Sequence, residues 1–266
     1  MANGTISTWF ANKIQDALLG GLNISPPSKY IGYTMTASAS NGFGAEPVGA
    51  NYTRISAIPN VWSVATDGTT TNIADLEMPR ASGAQGTPVS LVIYDSSVGG
   101  NPLVYIPIDG SLTIQNRNSL IIPAGVITHR FKATSHYSQY WRTAIMNFIY
   151  LETPLPIEPV LWAGYTYSAP TATASGTEPV VAEYVRQSLN NNKTSFTSAV
   201  NGSLGTALNL QFPISASAQG TISHVALFGS QAGGPYLASA PLVPNVAMTV
   251  NSQMIIQAGS FTLQLR

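Results

Sequence analysis

The chain has 266 residues, no cysteine and a formal net charge of zero, and only 8% of its residues are charged. The lack of cysteine excludes disulfide bonds and zinc–thiolate sites. Without a basic run, the chain also lacks the clustered lysines and arginines by which proteins bind nucleic acid. An average soluble protein is roughly 25% charged. The deficit predicts either a surface rich in Ser, Thr and Asn or a surface buried against protein partners.

The first predicted element is a helix over residues 5–19, which ends at Gly20 and Gly21. Its length and the charges of Lys13 and Asp16 exclude a membrane span. The residues before it show no basic region followed by an apolar run, so no signal peptide is predicted and we expect a soluble intracellular product. The helix carries an apolar stripe formed by Ile6, Trp9, Phe10, Ile14, Ala17 and Leu18.

After Pro26 and Pro27, the first half of the chain is predicted to consist of short strands between Gly, Pro, Asn and Ser turns. Both faces of Pro88–Tyr94 are apolar, which indicates a central strand, and the whole pattern favours an antiparallel sandwich or jelly roll. Gly99 and Gly100 form a predicted hairpin turn that needs positive φ. The predicted strands are Tyr30–Thr36, Tyr52–Ile58, Val61–Ala65, Asn72–Met78, Pro88–Tyr94, Leu103–Pro107, Leu120–Ile122 and Val126–Phe131.

The second half of the chain repeats the first at a spacing of 132 to 134 residues. The run that begins at Ala84 recurs at Ala218, and Trp9 falls on Trp141. A spacing this long indicates a duplicated domain, since solenoid repeats are about 20–50 residues long. We therefore predict a mainly β protein with two tandem antiparallel β-sandwich (jelly-roll-like) domains, residues 1–135 and 136–266, each preceded by one α-helix. Each helix either covers a sheet edge or docks on the partner domain, and exchange between domains or between chains stays open.

One glutamate and one arginine recur in both halves, eight residues apart in each. They are Glu46 with Arg54 and Glu178 with Arg186. In a chain with few charges, this recurrence predicts either an ion pair within each domain or a contact with a partner protein. No second acid recurs beside either glutamate, so a paired-carboxylate hydrolase is not predicted. Trp9 and Trp141, in the predicted helices, are the other structural or interface candidates.

The remaining polar residues point to no reaction. His129 and His136 lie near the junction of the halves with Arg130 and Lys132 between them, which predicts a solvated, mildly basic linker. His224 stands where the first half has Ser90, so a structural role is expected. We predict no catalytic residue, no cofactor and no metal site, and hence no enzyme.

Several motifs occur in a fixed order in both halves. They are Tyr30–Tyr33, Gly44–Pro47, Tyr52-x-Arg54, Gly86–Asp95, Gly99–Gly100 and Ile122–Gly125. This series resembles a family of tailed-bacteriophage virion proteins that are described as tail-fibre-like or as cement proteins. The resemblance covers nearly the whole chain and implies a β-sandwich virion component without enzymatic activity.

Within that class, the compact duplicated form favours a capsid cement or decoration protein that bridges capsid subunits. The expected partners are the major capsid protein and neighbouring copies of the chain, with a homodimer possible and no nucleic acid or membrane. The expected location is the virion, at the capsid surface. A tail-fibre or baseplate component is the first alternative. A carbohydrate-binding module is the second, with Trp62 and Tyr167 as the aromatic candidates for sugar stacking.

Overall fold

The structure is a computed structural model that describes residues 4–39, 42, 44–57, 59–108, 112–131 and 136–265. The first half of the chain begins with a short strand and a helix, and eight further named strands follow, the last of which ends at Arg130. A single turn of 3₁₀ helix, Pro59–Val61, precedes the fourth strand. The elements are β1 (Thr5–Ile6), α1 (Thr8–Gly20), β2 (Tyr30–Thr34), β3 (Ile55–Ser56), β4 (Thr69–Thr71), β5 (Leu76–Glu77), β6 (Ser90–Tyr94), β7 (Pro102–Pro107), β8 (Ile121–Ile122) and β9 (Thr128–Arg130).

The second half has the same order of elements, except that its described residues include no named strand before the helix and no 3₁₀ turn between β11 and β12. Its two longest strands form a hairpin that extends beyond the corresponding hairpin of the first half. The elements are α2 (Gln139–Leu151), β10 (Val160–Thr166), β11 (Gln187–Asn190), β12 (Ser203–Gly205), β13 (Leu210–Ile214), β14 (Gly220–Phe228), β15 (Tyr236–Met248), β16 (Gln253–Ile256) and β17 (Thr262–Gln264).

The two halves share one sheet topology. The main sheet has the order β7-β6-β2-β3 in the first half and β15-β14-β10-β11 in the second, and β1 adds a fifth strand beside β7. Two-stranded antiparallel ladders, β4 with β9 and β5 with β8, recur as β12 with β17 and β13 with β16. The prediction of a mainly β, antiparallel fold in two similar halves, each preceded by a helix, is confirmed.

Three predicted strands are wrong in detail. The segment predicted as a strand over 61–65 forms only an isolated bridge from Trp62 to Asn72, because the 3₁₀ turn occupies its start. The segment predicted over 72–78 is a strand only at Leu76–Glu77. At its start, the Asn72 side chain donates to the Ala74 and Pro123 carbonyls and accepts from the Ile127 amide, and these bonds hold a bend at Ala74 instead of a strand. The segment predicted over 52–58 is a strand only at Ile55–Ser56, and its predicted end at Ile58 lies outside the described residues.

The helices correspond at a spacing of 131 residues, one less than the spacing of the strands that follow. Ser7 and Ser138 are the N-caps, and each side chain accepts a bond from the amide three residues on. Such a cap satisfies an amide that has no partner inside the helix. The match of Trp9 with Trp141 is therefore wrong by one residue. Trp9 corresponds to Tyr140, and both are partly exposed, whereas the buried Trp141 corresponds to Phe10.

Each helix starts on its own half and then packs on the other half. The Ser7 side chain donates to the Pro102 carbonyl, yet further along α1 the Asp16 side chain accepts from the Ala199 amide at 2.8 Å. In α2, the Asn147 side chain accepts from the Ala65 amide, also at 2.8 Å. Both places that the sequence left open for the helices are observed: α1 and α2 contact β7 and β15 at the edge region of their own sheets, and both also dock on the partner half.

The core is shared between the halves. Buried apolar side chains from both halves form one cluster, and Phe10 of α1 stacks on Phe148 of α2 with ring centroids 6.2 Å apart. The predicted domain bounds, 1–135 and 136–266, stay a prediction because residues 132–135 lie outside the described part of the chain. These bounds separate the two sequence repeats. In the folded chain, however, the helix of each repeat packs against strands and loops of the other repeat.

Candidate interface site

Arg54 and Glu46 form a bidentate ion pair in the first half. The Arg54 Nε donates to Glu46 Oε1 at 2.9 Å and its Nη2 donates to Oε2 at 2.6 Å. The Arg54 side chain is 6% exposed and the Glu46 side chain 25%. Two parallel bonds fix the relative orientation of both groups, which a single contact would not do.

The same guanidinium group also holds the hairpin turn between β6 and β7. Its Nη1 donates to the carbonyls of Ser96 and Gly99 at 2.6 and 2.7 Å. Its Cζ lies 3.4 Å from the centre of the Tyr94 ring, which adds a cation–π contact. Arg54 therefore ties the loop that carries Glu46 to the turn at Gly99.

Tyr52 completes this arrangement. Its hydroxyl donates to Glu46 Oε1 at 2.5 Å and accepts from the Tyr33 amide at 3.1 Å. Gly32 makes room for it, since a Cβ atom there would lie 2.3 Å from the hydroxyl and 2.9 Å from Glu46 Oε1. We call Glu46, Tyr52 and Arg54, with the Tyr94 ring, the arginine brace of the first half.

The second half repeats the arginine brace with the same contacts. Glu178, Tyr184, Arg186 and the Phe228 ring take the four places. Arg186 Nη1 again donates to two turn carbonyls, both at 2.8 Å, and a Cβ on the glycine of β10 would again meet the tyrosine hydroxyl. The carbonyls belong to Ser230 and Gly233, and the glycine is Gly164. Both arginines thus contact the glutamate of their own half, as the spacing predicts.

The electrostatics of the first brace favour its charged form. Burial works against ionisation of Glu46, but hydrogen bonds from Arg54 and Tyr52 outweigh it and lower the pKa of the carboxyl group. Burial and the bond to Glu46 raise the pKa of Tyr52 well above its ordinary value. Burial raises the pKa of Tyr94 to about 12. At neutral pH the brace is therefore one carboxylate, one guanidinium and two neutral phenols.

The braces hold loops whose tips are exposed valines. Val48 lies two residues after Glu46 and is 97% exposed, and Val180 lies two residues after Glu178 and is 95% exposed. Val98 lies in the turn that Arg54 grips and is 84% exposed. The predicted turn glycines have the expected positive φ, for example 62° at Gly99 and 64° at Gly233. Each brace therefore presents an apolar side chain to solvent from a loop that is tied down behind it.

The predicted tryptophan sites differ from one another. Trp9 is 38% exposed, with the Lys13 ammonium group 5.8 Å from its ring centre, whereas Trp141 is fully buried. Of the two aromatic candidates for sugar stacking, Trp62 is only 2% exposed and Tyr167 is partly buried. Trp62 packs against Tyr150 of α2, so its ring faces the core.

The expectation that His129 lies in a solvated linker is wrong. It is in β9, is 3% exposed, and its Nδ1 lies 2.7 Å from the Tyr150 hydroxyl. Burial lowers its pKa to about 3. His136 is partly buried and its Nδ1 accepts from the Gln264 amide, while His224 Nδ1 lies 2.9 Å from Ser223 Oγ. Lys132, between the first two histidines, lies outside the described residues.

Other features offer less to a ligand. Across the described ranges, no three His, Asp or Glu side chains are grouped so that they could hold a metal ion. Neither described helix has the length and apolar character needed to cross a membrane. An apolar groove of about 480 Å³ lies between β7 and β8 of the first half, and proline, leucine, isoleucine and valine side chains line it throughout. The residues that line it carry no polar side chain that could orient a substrate or a cofactor.

The recurring motifs contain Gly32, Tyr33 and Tyr52, but the sequence interpretation gives these residues no structural role. The side chains of Tyr33 and Gln85 hydrogen-bond to each other, and Tyr165 donates to Gln219 at 2.6 Å beside the second brace. The signal was present, since these residues recur in both halves along with Gly32 and Tyr52. Charge scarcity directs attention to the recurring glutamate and arginine, whereas a neutral tyrosine gives no charge pattern from which its role can be predicted.

A comparison with curated proteins finds no match to this chain. A comparison with protein families matches residues 5–130, and again residues 136–264, to the family described as podophage GP4 fiber I protein gp80. The two matched segments contain the two arginine braces and both helices. The chain is a tandem duplication within a family of phage virion structural proteins: it belongs to the podophage GP4 fiber I protein gp80 family.

Proposed function

We propose that the protein is a non-enzymatic connector in the phage virion that joins two neighbouring subunits of the particle, one through each half. The observation that supports this most directly is that the arginine brace occurs in both halves. In each half it holds a loop that exposes a valine to solvent. The same docking element, present twice in one chain, suits a protein that makes the same contact twice.

The brace makes a valine tip a better docking element than a free loop would be. Binding a mobile loop costs ordering entropy, whereas a loop that is already held in place avoids most of that cost. Arg54 bonds to two carbonyls of the turn and to both oxygens of Glu46, so the chain on either side of Val48 and Val98 is restrained before any partner arrives.

Two linked docking elements also strengthen a weak contact. Once one half is bound, the second contact forms at an effective concentration that the linkage sets, so overall binding can exceed either contact alone by about 10²–10⁴-fold. A chain with 8% charged residues also has surface that is inexpensive to desolvate, as interface cores are depleted in charge.

We place the connector in the fibre or tail assembly, because the family description names a fibre protein. Its partners there would be tail or fibre subunits and neighbouring copies of the chain, without direct contact with nucleic acid or membrane. The second candidate is a capsid cement protein bound to the major capsid protein. It is supported by the compact form, since the described residues contain two helices of 13 residues each and no coiled coil or shaft repeat.

The test of the connector role replaces the valine tips with aspartate. Val48→Asp and Val180→Asp would bury a charge at each contact, so we expect each to lower the occupancy of the protein on particles by about 10-fold or more and the double variant to abolish it. Occupancy is measured by quantitative mass spectrometry of purified virions. Val243→Asp is the matched control, because Val243 is 90% exposed and lies outside both braces.

Normal occupancy of the double variant, or an equal loss with the control, would contradict the proposal. Cryo-electron microscopy of the same particles separates the two locations. Density on the tail or fibres alone supports the fibre role. Density on the head, with heads that rupture at lower temperature or lower divalent-cation concentration when the protein is missing, supports the cement role.

A further inference from the structure

The surface that accepts a helix is built in the same way in both halves. In the first half, the Ala65 and Gly68 amides donate to Asn147 and Thr143 of α2 at 2.8 and 3.2 Å. In the second half, the corresponding amides donate to α1, with both distances 2.8 Å. They belong to Ala199, which donates to Asp16, and to Gly202, which donates to Asn12. Side-chain oxygens at equivalent helix positions thus meet equivalent loop amides.

These shared contacts do not distinguish one helix from the other. Asp16 and Asn147 both present an acceptor oxygen, and so do Asn12 and Thr143. If the loop amides were the whole of recognition, either helix could occupy either half. Selectivity must come from positions at which the two halves differ.

The halves differ at the pocket beside the C-terminal end of the helix. In the first half, the buried Trp62 and His129 surround Tyr150 of α2, with ring centroids 4.5 and 5.7 Å from the Tyr150 ring. His129 Nδ1 lies 2.7 Å from the Tyr150 hydroxyl. The second half has Phe196 and Leu263 at the equivalent positions, and α1 has Leu19 in place of Tyr150. A polar pair in one pocket is therefore replaced by apolar side chains in the other.

We propose that each half binds the helix of the opposite half as a separable partner, and that the pair of His129 and Tyr150 makes the first half selective for α2. With α1 in the first half, Leu19 would face His129 and leave a buried ring nitrogen without a hydrogen bond. With α2 in the second half, the Tyr150 hydroxyl would be buried among apolar side chains. Each mismatch carries the desolvation penalty of an unpaired polar group.

Gln15 adds selectivity in the second half. Its Nε2 donates to the Leu263 carbonyl at 3.0 Å and to the Tyr137 hydroxyl at 2.9 Å. The equivalent residue of α2 is Met146, which cannot make either bond. Consequently, the first half of one chain can bind the second half of another copy, but it cannot bind another first half.

The experiment uses the full chain with a protease site inserted between Phe131 and His136. One preparation carries an affinity tag before residue 1, and a second is untagged and labelled with heavy isotopes. Both are cut, mixed, partly unfolded in urea, refolded and captured on the tag. We expect the captured first half to hold second halves of both light and heavy mass, with no heavy first half. Separation of the cut halves in buffer alone, or capture of heavy first halves as often as heavy second halves, would overturn the proposal.

Variants then locate the selectivity. In the cut protein, we expect Tyr150→Phe and His129→Leu each to weaken association of the halves by about 5- to 100-fold, the range that one unpaired buried group accounts for. The double variant should cost less than the product of the two effects, since it leaves neither partner unpaired. Tyr140→Phe is the matched control, because it removes a hydroxyl from an exposed tyrosine of the same helix. Equal losses of association in Tyr150→Phe and Tyr140→Phe would show that this pair does not make the first half selective for α2. So would a double variant whose loss equals the product of the two single losses.

Discussion

At the scale of single residues, Arg54 and Arg186 each use three nitrogen atoms to join three pieces of backbone. Nε and Nη2 hold a glutamate, and Nη1 holds two carbonyls of a turn. Lysine has the same charge but cannot make this planar set of bonds, so the geometry of the guanidinium group matters more than its charge.

We therefore predict that Arg54→Lys lowers the free energy of unfolding by about 2–4 kcal/mol, because it leaves a half-buried carboxylate and two carbonyls poorly paired. Arg186→Lys should cost a similar amount, since its contacts are the same. Urea denaturation followed by circular dichroism measures both. Arg80→Lys, at an exposed arginine, is the control and should change stability by less than about 0.5 kcal/mol. A loss no larger than that of the control would mean that charge alone is sufficient at Arg54.

Gly32 is required for steric reasons, which gives a second prediction. Gly32→Ala would place its methyl group against the Tyr52 hydroxyl, and we expect a loss of about 1–3 kcal/mol. In the background of Tyr52→Phe the obstructing oxygen is gone, so the same substitution should cost less. Gly42→Ala is the control, because a Cβ atom there meets nothing within 4 Å. An equal cost of Gly32→Ala in both backgrounds would show that the hydroxyl is not the obstacle.

At the scale of elements, the two helices are ordinary amphipathic segments whose partner surface belongs to the other half. Each is capped by a serine and ends at a left-handed residue, Gly21 or Glu152. The Lys29 ammonium group of the first half also pairs with Glu152 at 2.7 Å, although burial lowers the pKa of Lys29. The first half thus also holds the C-terminal end of α2.

Because Asn147 satisfies a backbone amide across the halves, we predict that Asn147→Ala destabilises the chain by about 1–3 kcal/mol. Asn147→Asp keeps an acceptor oxygen, as Asp16 does at the equivalent position of α1, and should retain most of the stability. Hydrogen exchange at the Ala65 amide is the local measurement, and its protection should fall in the alanine variant and persist in the aspartate variant. Unchanged protection in the alanine variant would contradict the role of this bond.

At the scale of the whole molecule, burial lowers the pKa of all three histidines, and that of His129 falls to about 3. His129 stays neutral in the folded chain below pH 6.5, whereas the unfolded chain takes up a proton there. Stability is therefore retained above about pH 6.5 and falls as the pH decreases towards 3. Glu46, whose pKa is lowered, adds a further loss below its ordinary value of 4.5.

We predict that the urea concentration at which half the protein is unfolded is constant between pH 8 and pH 7 and falls below pH 6.5. His129 should account for a decrease of about 2 kcal/mol in the free energy of unfolding at pH 5. His129→Leu should be less stable at pH 7 but show a flatter dependence on pH between 6.5 and 5. His224→Gln, at a partly exposed histidine, should flatten the profile much less. A pH dependence that is the same in the parent chain and in His129→Leu would contradict this assignment.

The sequence alone determined the duplication and the antiparallel strands, and it limited the recurring glutamate and arginine to an ion pair or a partner contact, because these features depend on local patterns. Alternating apolar residues specify a strand face, glycine pairs specify a turn, and a glutamate eight residues before an arginine reaches it across one loop. The repetition in both halves made even the weak patterns readable, and it also identified the virion family that the chain belongs to.

Only the tertiary structure decided which surface each helix covers and where His129 lies. An apolar stripe shows that a helix has a partner surface, but its own half and the opposite half offer equivalent loop amides, and nothing local distinguishes them. The deciding contacts join residues that are far apart in the chain, such as Asp16 with Ala199 and Ala65 with Asn147. His129 appears solvated beside Arg130 and Lys132 in sequence, yet strand pairing turns its ring towards Tyr150 in the shared core, where burial keeps it neutral.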